Sequence, residues 1–394
     1  MTAAARSFVR QFLSRSWVRC VVGIAVGATC VAPAVAQEVG ADTIVIGQTA
    51  GFTGQVAGQV KEMTAAATAY FAYVNKRGGV HGRRLVLKSL DDGYDAKRAD
   101  ANARKLIAEE RVFLLALSRG TPTSEAIAPL AQEHRIPLVG PATGSQSLHE
   151  PFNRYVFNVR AKYRTEAARI VDYLAGVHMQ RIAVLHQNNS FGKDGLAGFD
   201  EGLRNNGLTP VAVVPLDTTQ PDAGVGAAVE KITAADPAAV VIASPLKPTA
   251  EFVRALRKRG NNAQCLVLSN LSSDSFVAEL GDAAPGVIVT QVVPYPWNLA
   301  TPLAKELQQA IREHPDAGAT VSYAAMEGLV YAKVVVEGLR RAGRNPTREG
   351  FVEALEALRD HDLGGLVVNY GTRNRAGSSY VDITIIGRDK TFRR

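Results

Sequence analysis

The sequence predicts an α/β protein made of two doubly wound lobes that are joined by a hinge. Short, near-continuous apolar runs alternate with segments of helical periodicity. Such runs are typical of parallel strands that are buried on both faces of a sheet. The alternation runs from residue 43 to residue 139 and begins again at residue 182, which indicates two lobes of similar build.

The first series of elements starts with strand Thr43–Gly47 and a helix over Lys61–Lys76. Apolar residues of that helix recur on one face, and the pair Gly78-Gly79 ends it. The elements that follow are a strand at 85–87, a helix over 96–110, a strand at 112–117, a helix over 124–134 and a strand at 137–139. We expect one parallel sheet with helices on both faces.

The second series repeats this order. Its elements are strands at 182–185, 211–214, 239–243 and 265–268, with helices over 195–205, 223–234 and 249–259 between them. After a long helix over 321–340, two late strands at 365–368 and 381–386 are expected to complete the two sheets. The chain then crosses the hinge more than once, so we assign residues 37–158 and 291–369 to the first lobe and residues 159–290 and 370–394 to the second.

The N-terminus has the order of a secretory signal peptide. Four arginines come first, then an apolar run, then a small-residue box: Arg6, Arg10, Arg15 and Arg19, then Cys20–Val31, then Ala34-Val35-Ala36. We expect cleavage after residue 36, which places the mature protein outside the cytoplasm. A retained membrane anchor is the alternative, but the apolar run is shorter than the roughly 20 residues that span a bilayer.

Composition excludes several classes of function. Loss of the four signal-peptide arginines lowers the net charge from +8 to +4, and the remaining basic residues are interspersed with acidic ones, so no nucleic-acid partner is expected. Cys265 is the one cysteine left, in an apolar run, and we interpret it as a small buried hydrophobe. No phosphate loop, dinucleotide fingerprint or nucleophile elbow occurs, so we expect neither enzyme activity nor a cofactor or metal.

Three loops that follow strands of the first series are small and rich in hydroxyl groups. They are Gly51–Gly54, Ser118–Ser124 and Gly140–Ser145. In open α/β sheets, ligands bind beyond the carboxyl ends of the strands. The second loop leads into a helix, where Thr121 can cap the helix and Pro122 fits its first turn. Thr123 adds a hydroxyl group. A helix start of this kind is suited to bind a carboxylate.

On these loops the chain resembles the type I periplasmic solute-binding proteins of ABC importers, in the leucine/isoleucine/valine-binding family. The matching segments are Gly47–Gly54, Val74–Gly82, Asp91–Asp95, Gly120–Thr123, Gly140–Gly144, Asn189–Gly192 and Pro248–Phe252. The resemblance spans the mature chain. It implies Rossmann-like lobes, a periplasmic location, a small-molecule ligand, an ABC permease in the inner membrane as partner, and a monomer.

The resemblance also implies roles for single residues. It places the ligand carboxylate on backbone N–H and hydroxyl groups of Gly120, Thr121, Ala142 and Thr143. Phe191 from the second lobe would cover the ligand, and Phe52 would form another wall.

One position departs from the family pattern. Amino-acid binders of the family place an acid of the second lobe against the ligand ammonium, but the matching loop, Ser269–Asp274, has Asn270 and its acid, Asp274, comes late. Asn270 can accept a hydrogen bond but cannot neutralise a buried ammonium. The ligand therefore stays open between an amino acid and an aliphatic or aromatic acid.

Two other classes of function remain as alternatives. A sensory ligand-binding subunit would share this architecture, although the sequence has no signalling segment of its own. An extracytoplasmic hydrolase is the third hypothesis. The pair Asp91-Asp92 could be interpreted as catalytic or metal-binding, but structural hydrogen bonding at a strand end is the interpretation we favour.

Overall fold

The computed structural model contains two large β-sheets, each with its own helices, and a small two-stranded hairpin. It describes residue 40, residues 42–217 and residues 221–394, without the side chains of 221–223. The predicted signal peptide, residues 1–36, lies outside the described residues. None of the described helices is both long and apolar enough to cross a membrane.

The first sheet is parallel and has the strand order β2-β1-β3-β4-β5. Its strands and the helices between them are β1 (Thr43–Ala50), α1 (Ala57–Lys76), β2 (Arg84–Asp91), α2 (Ala96–Ala108), β3 (Leu114–Ala116), α3 (Thr121–Glu133), β4 (Leu138–Val139) and β5 (Val156–Phe157). The order changes direction between β1 and β3, which makes the gap above those two strands the switch point where doubly wound sheets bind ligands.

The second sheet begins with the same order. Its first elements are α4 (Tyr163–Gly176), β6 (Ile182–Gln187), α5 (Ser190–Asn205), β7 (Ala212–Leu216), α6 (Pro221–Ala235), β8 (Ala239–Ala243), α7 (Leu246–Lys258), β9 (Gln264–Val267), α8 (Asp274–Leu280) and β10 (Ile288–Gln291). Strands β7-β6-β8-β9-β10 are parallel neighbours. Two doubly wound sheets in one chain confirm the predicted fold class.

The C-terminal elements divide between the sheets. They are α9 (Pro302–Glu313), α10 (Tyr323–Ala342), α11 (Arg348–Glu356), β11 (His361–Asp362), β12 (Val367–Val368), β13 (Asp382–Ile386) and β14 (Phe392–Arg393). Helices α9 and α10 pack on α1, and α11 packs on α10, so these helices belong with the first sheet. Strands β13 and β14 extend the second sheet in antiparallel orientation.

One late strand differs from the prediction. The segment expected to complete the first sheet pairs only with β11, in a separate two-stranded hairpin. Its residues alternate between exposed Val367 and buried Val368, which fits a hairpin at the surface rather than a strand covered on both faces. We call the first sheet with α1–α3 and α9–α11 the first half, and the second sheet with α4–α8 the second half.

Burial on both faces explains why the sequences of the central strands are continuous apolar runs. Every residue of β6, β8 and β10 is buried. Because successive residues of a strand face opposite sides of the sheet, both faces must be covered. Cys265 lies in β9, fully buried, and burial raises the pKa of its thiol to about 11, so the predicted role of a small hydrophobe is confirmed.

The chain passes between the halves three times, through residues 158–162, 292–301 and 369–381. The first and third crossings are joined by hydrogen bonds, since the Asn158 N–H donates to the Arg375 carbonyl at 2.9 Å and the Gly377 N–H to the Asn158 carbonyl at 2.8 Å. The Tyr370 hydroxyl also donates to the Asn158 carbonyl, at 3.0 Å. We call these three crossings the hinge.

Candidate functional site

The carboxyl ends of both sheets face one small cavity. Its volume is about 20 Å³, close to the space that a single water molecule needs. The residues that line it are Val56, Tyr94, Arg119, Gly120, Thr121, Ala142, Tyr163, Phe191, Pro245 and Asn270. They follow β1, β2, β3 and β4 in the first half and β6, β8 and β9 in the second, with Tyr163 at the start of α4.

The first-half wall is built around the start of α3. Gly120 precedes the helix with a φ of +105°, and a Cβ there would lie 2.4 Å from Cε2 of Tyr94, so only glycine lets the ring and the loop meet. The helix begins at Thr121, earlier than predicted, and its cap residue is Gly120 rather than Thr121. The Thr121 hydroxyl is therefore not a cap and pairs with the Thr143 hydroxyl instead, at 2.7 Å.

Three backbone N–H groups that the resemblance assigned to the ligand already have acceptors in the chain, and one of them is the Gly120 N–H, which donates to the Ala142 carbonyl at 3.5 Å. The Ala142 N–H donates to the Ser118 carbonyl at 2.7 Å, and the Thr143 N–H donates to the Pro141 carbonyl at 2.8 Å. In this conformation the Gly120 and Ala142 amides hold the β4 loop against the β3 loop, and the Thr143 amide closes a turn within the β4 loop. The groups here that suit an anion are the first turn of α3, apart from Pro122, which has no N–H, and the paired threonine hydroxyls.

Aromatic rings form the opposite wall. Phe191 is 3% exposed and its ring lies 5.0 Å from that of Tyr163, edge to face. It stands in the first turn of α5, where the Asn189 side chain accepts the Gly192 N–H at 3.0 Å and fixes the helix start. Burial raises the pKa values of Tyr94 and Tyr163, so both phenols stay neutral hydrogen-bond donors.

Asn270 connects the two halves through its backbone. Its carbonyl accepts hydrogen bonds from Gln59 Nε2 of α1 and, at 2.9 Å, from Arg119 Nη2. Its side-chain Nδ2 donates to the Ser244 carbonyl at 3.1 Å. Its Oδ1 is buried and has no hydrogen-bond partner among the residues that the structure describes.

A buried ionic network runs from the cavity to the hinge. Arg119 Nη1 lies 3.3 Å from Glu327 Oε2, and Arg160 Nη1 lies 3.1 Å from Glu327 Oε1. Arg160 also pairs with Glu166 at 2.9 Å. Burial acts against ionisation of Glu327, but the two guanidinium groups outweigh it and lower the pKa of Glu327. With two arginines and two glutamates, the network carries no net charge.

Three predicted site residues lie outside the cavity lining. The Thr123 hydroxyl donates to the Arg119 carbonyl at 2.7 Å, so it stabilises the loop. Phe52 packs with Tyr94 against a small cluster of Ala50, Val56 and Val60. The Thr143 hydroxyl pairs with the hydroxyl of the lining residue Thr121. The other five predicted residues, Gly120, Thr121, Ala142, Phe191 and Asn270, line the cavity, and their role in ligand binding stays a prediction.

The pair Asp91-Asp92 is held by protein donors. Asp91 accepts from the Thr53 backbone N–H and hydroxyl, and Asp92 accepts from the Thr49 hydroxyl at 3.0 Å and the Tyr94 N–H at 2.8 Å. Within the described ranges, no group of histidine, cysteine and acidic side chains is arranged to hold a metal ion. Hydrogen bonding at the strand end, the interpretation favoured from the sequence, is what the structure shows.

Sequence reasoning missed half of the lining. Nothing in the sequence distinguishes Tyr94 and Tyr163 from ordinary loop and helix residues. Val56 and Pro245 have no polar side chain that would indicate a binding site. Arg119 stood in a predicted cleft loop, but nothing in the sequence pairs it with Glu327, which is 208 positions away. Gly120 was the available signal for Tyr94, because a glycine at a strand exit marks a close approach of another group, and here that group is the Tyr94 ring.

A family model described as "Periplasmic binding protein" matches residues 43–385. The chain belongs to the Leu/Ile/Val-binding family of type I periplasmic binding proteins. Among its relatives is the Leu/Ile/Val-binding protein homolog 3 of Brucella melitensis, 26% identical over 317 residues that span 79% of this chain and 83% of the relative.

Solved structures of similar proteins agree. A substrate-binding periplasmic protein of Ralstonia solanacearum is 32% identical, with a TM-score of 0.83 over 89% of this chain and 99% of that one. A possible leucine/isoleucine/valine-binding protein of Rhodopirellula baltica is 27% identical, with a TM-score of 0.82 over 90% and 97% of the two chains. The predicted type I periplasmic binding protein fold is confirmed, and membership of this family makes the chain a periplasmic substrate-binding protein rather than an enzyme.

Proposed function

We propose that this periplasmic binding protein is the substrate-binding subunit of an ABC importer. It captures a small carboxylate-bearing solute, either an amino acid or an organic acid, in the cleft between two lobes and delivers it to a permease in the inner membrane. The observation that carries the proposal is that seven loops, from the carboxyl ends of two sheets with the same strand order, converge on one cavity.

We also propose the lobe boundaries that were expected from the sequence, 37–158 with 291–369 and 159–290 with 370–394. The division of the strands between the two sheets supports them. With a cavity of about 20 Å³, a solute of amino-acid size enters only if the lobes separate about the hinge and close again. Ligand contacts from both lobes then favour the closed state.

The carboxylate is bound at the first turn of α3, beside the hydroxyls of Thr121 and Thr143. Unpaired N–H groups and the helix dipole favour an anion there. Phe191 and Tyr163 cover the rest of the ligand from the second lobe. We also propose that the signal peptide is removed after residue 36 and that the mature chain works as a monomer, which mass spectrometry and gel filtration of periplasmic protein would test.

A thermal-shift screen of the mature protein tests the binding function. Amino acids, aliphatic and aromatic acids, dicarboxylates and amides are added one by one, and a carboxylate that binds the native state raises the melting temperature. Absence of a shift with every carboxylate would contradict the proposal. Uptake of the hit by cells with and without the gene separates an importer subunit from a sensory one, since only the former is needed for uptake.

A further inference from the structure

We propose that the ligand is a monocarboxylate with an apolar or aromatic body and no ammonium group. The inference rests on the proposed function and narrows its ligand class. It comes from the charges that face the cavity, from the one unpartnered polar atom on its second-half wall, and from the rings that enclose it.

No acidic residue lines the cavity, and the structure describes every residue of the lining. Two carboxylates that bond to lining residues are already engaged by the protein. Glu327 accepts from Arg119, Arg160 and Tyr331, and Asp92 accepts from Thr49 and from the backbone of Tyr94. An ammonium group in this cavity would lose its hydration without gaining a counter-charge, which strongly disfavours binding.

The single ionised side chain of the lining is a cation, Arg119, which is 3% exposed. Its charge is balanced by Glu327, and its second nitrogen is bound to the Asn270 carbonyl. The lining therefore offers one site for an anion, at the first turn of α3, and no free cation for a second carboxylate. This favours a monocarboxylate over a dicarboxylate.

Asn270 Oδ1 is a neutral acceptor on a residue of the second-half wall, where the family resemblance leads us to expect an acidic side chain for an amino-acid ligand. It is buried and unpartnered among the described residues, and the amide cannot rotate to donate there without losing its bond to the Ser244 carbonyl. A hydroxyl group of the ligand donates a hydrogen bond to such an oxygen, whereas an apolar C–H group leaves the oxygen without a partner. The remaining walls, Phe191, Tyr163, Tyr94 and Val56, suit a ring or a branched chain.

Two matched series of ligands test the proposal on the mature wild-type protein by isothermal titration calorimetry. The first is 3-phenylpropanoate, phenyllactate and phenylalanine, and the second is 4-methylpentanoate, 2-hydroxy-4-methylpentanoate and leucine. Within a series, only the group on C2 changes, from hydrogen to hydroxyl to ammonium. We expect at least one acid without ammonium to bind tenfold or more tighter than the amino acid of its series.

An amino acid that binds as tightly as its partners, or tighter, would overturn this inference and leave the receptor function standing. Binding of dicarboxylates alone would overturn the inference in the same way. If no carboxylate of any class binds, the proposed function itself fails.

A charge variant gives an independent readout. Asn270→Asp supplies the missing anion, so we expect affinity for the amino acid of a series to rise tenfold or more while affinity for the matched acid falls. The control Asn262→Asp makes the same change at an exposed residue in the turn before β9 and leaves both affinities unchanged. A folded Asn270→Asp protein with the wild-type preference would count against the proposal, and the wild-type series decides it if the variant does not fold.

Discussion

At the scale of single residues, small groups determine how the loops of the first-half wall pack together. Gly120 lets the Tyr94 ring approach the start of α3, and the Thr121 and Thr143 hydroxyls pair at 2.7 Å across two loops. The sequence indicated these loops because glycine and hydroxyl residues follow strands there. It could not indicate that the Ala142 amide is used by Ser118, because that bond depends on how the β3 and β4 loops are spaced in the folded chain.

Removal of either threonine hydroxyl should weaken ligand binding. Thr121→Ala and Thr143→Ala each remove a polar group beside the proposed carboxylate site, so affinity for the ligand found by screening should fall by about tenfold. Thr372→Ala, at an exposed turn, serves as the matched control and should bind normally. Wild-type affinity in both threonine variants would rule out this anchor.

Asp92 should make stability depend on pH. Burial raises the pKa of Asp92 to about 6, above the value of 3.8 for an unperturbed carboxyl. The folded state therefore holds the proton longer than the unfolded state, and the free energy of unfolding falls as pH rises from about 4 to about 6. The loss is at most about 3 kcal/mol at neutral pH.

Chemical denaturation of Asp92→Asn at pH 4 and at pH 7 measures this effect. Relative to wild type, the variant should gain stability between the two pH values, because asparagine carries no proton to lose. Asp282→Asn, whose side chain is fully exposed, is the control and should show no such gain. Parallel pH profiles for wild type and Asp92→Asn would contradict the assignment.

At the scale of elements, strand and helix positions were predicted well where the apolar pattern is long. The predicted strand at 239–243 coincides with β8, and the predicted helix at 61–76 lies within α1. The elements that were not predicted from the sequence include α4, α8, α9, α11, β5, β10, β11 and β14. Strand β10 is four residues long, and its partners are β9 and the distant, antiparallel β13, so its place depends on contacts that are remote in sequence.

Helices α1 and α8 form a contact between the halves that should stabilise the closed state. Glu62 of α1 accepts the Ser275 N–H of α8 at 3.0 Å and the Ser322 hydroxyl at 2.8 Å. Glu62→Gln removes the charge from the start of α8, and the open fraction of unliganded protein should rise by about threefold to tenfold.

Small-angle X-ray scattering checks this expectation as a larger radius of gyration for Glu62→Gln than for wild type. Glu353→Gln, on the exposed side of α11, provides the comparison and should scatter like wild type. An unchanged radius together with unchanged ligand affinity would show that Glu62 does not hold the halves together.

At the scale of the whole molecule, one charge-balanced network links the cavity, the hinge and both halves. Arg160 lies in the first crossing and is fully buried, with Glu327 of α10 on one side and Glu166 of α4 on the other. Removal of one member leaves an uncompensated buried charge, which typically destabilises a protein by about 3–5 kcal/mol.

Glu166→Gln should therefore lower the free energy of unfolding by about 3 kcal/mol. Glu166 also accepts the Ser269 N–H and the Thr290 hydroxyl, so the amide would lose an acceptor as well as the charge. Urea denaturation measures the loss, with the exposed Glu201→Gln as control. A difference below about 1 kcal/mol would mean that Arg160 is neutralised by Glu327 alone.

The three chain crossings have a mechanical consequence. A single linker would let the halves swivel, slide and tilt, but three connections, two of them joined by hydrogen bonds, resist torsion and shear. Bending about one axis is the motion that remains. A partner that distinguishes open from closed protein therefore responds to one quantity, the angle between the two halves. A substitution in the cavity can change how often the closed angle is populated without changing the direction of the motion.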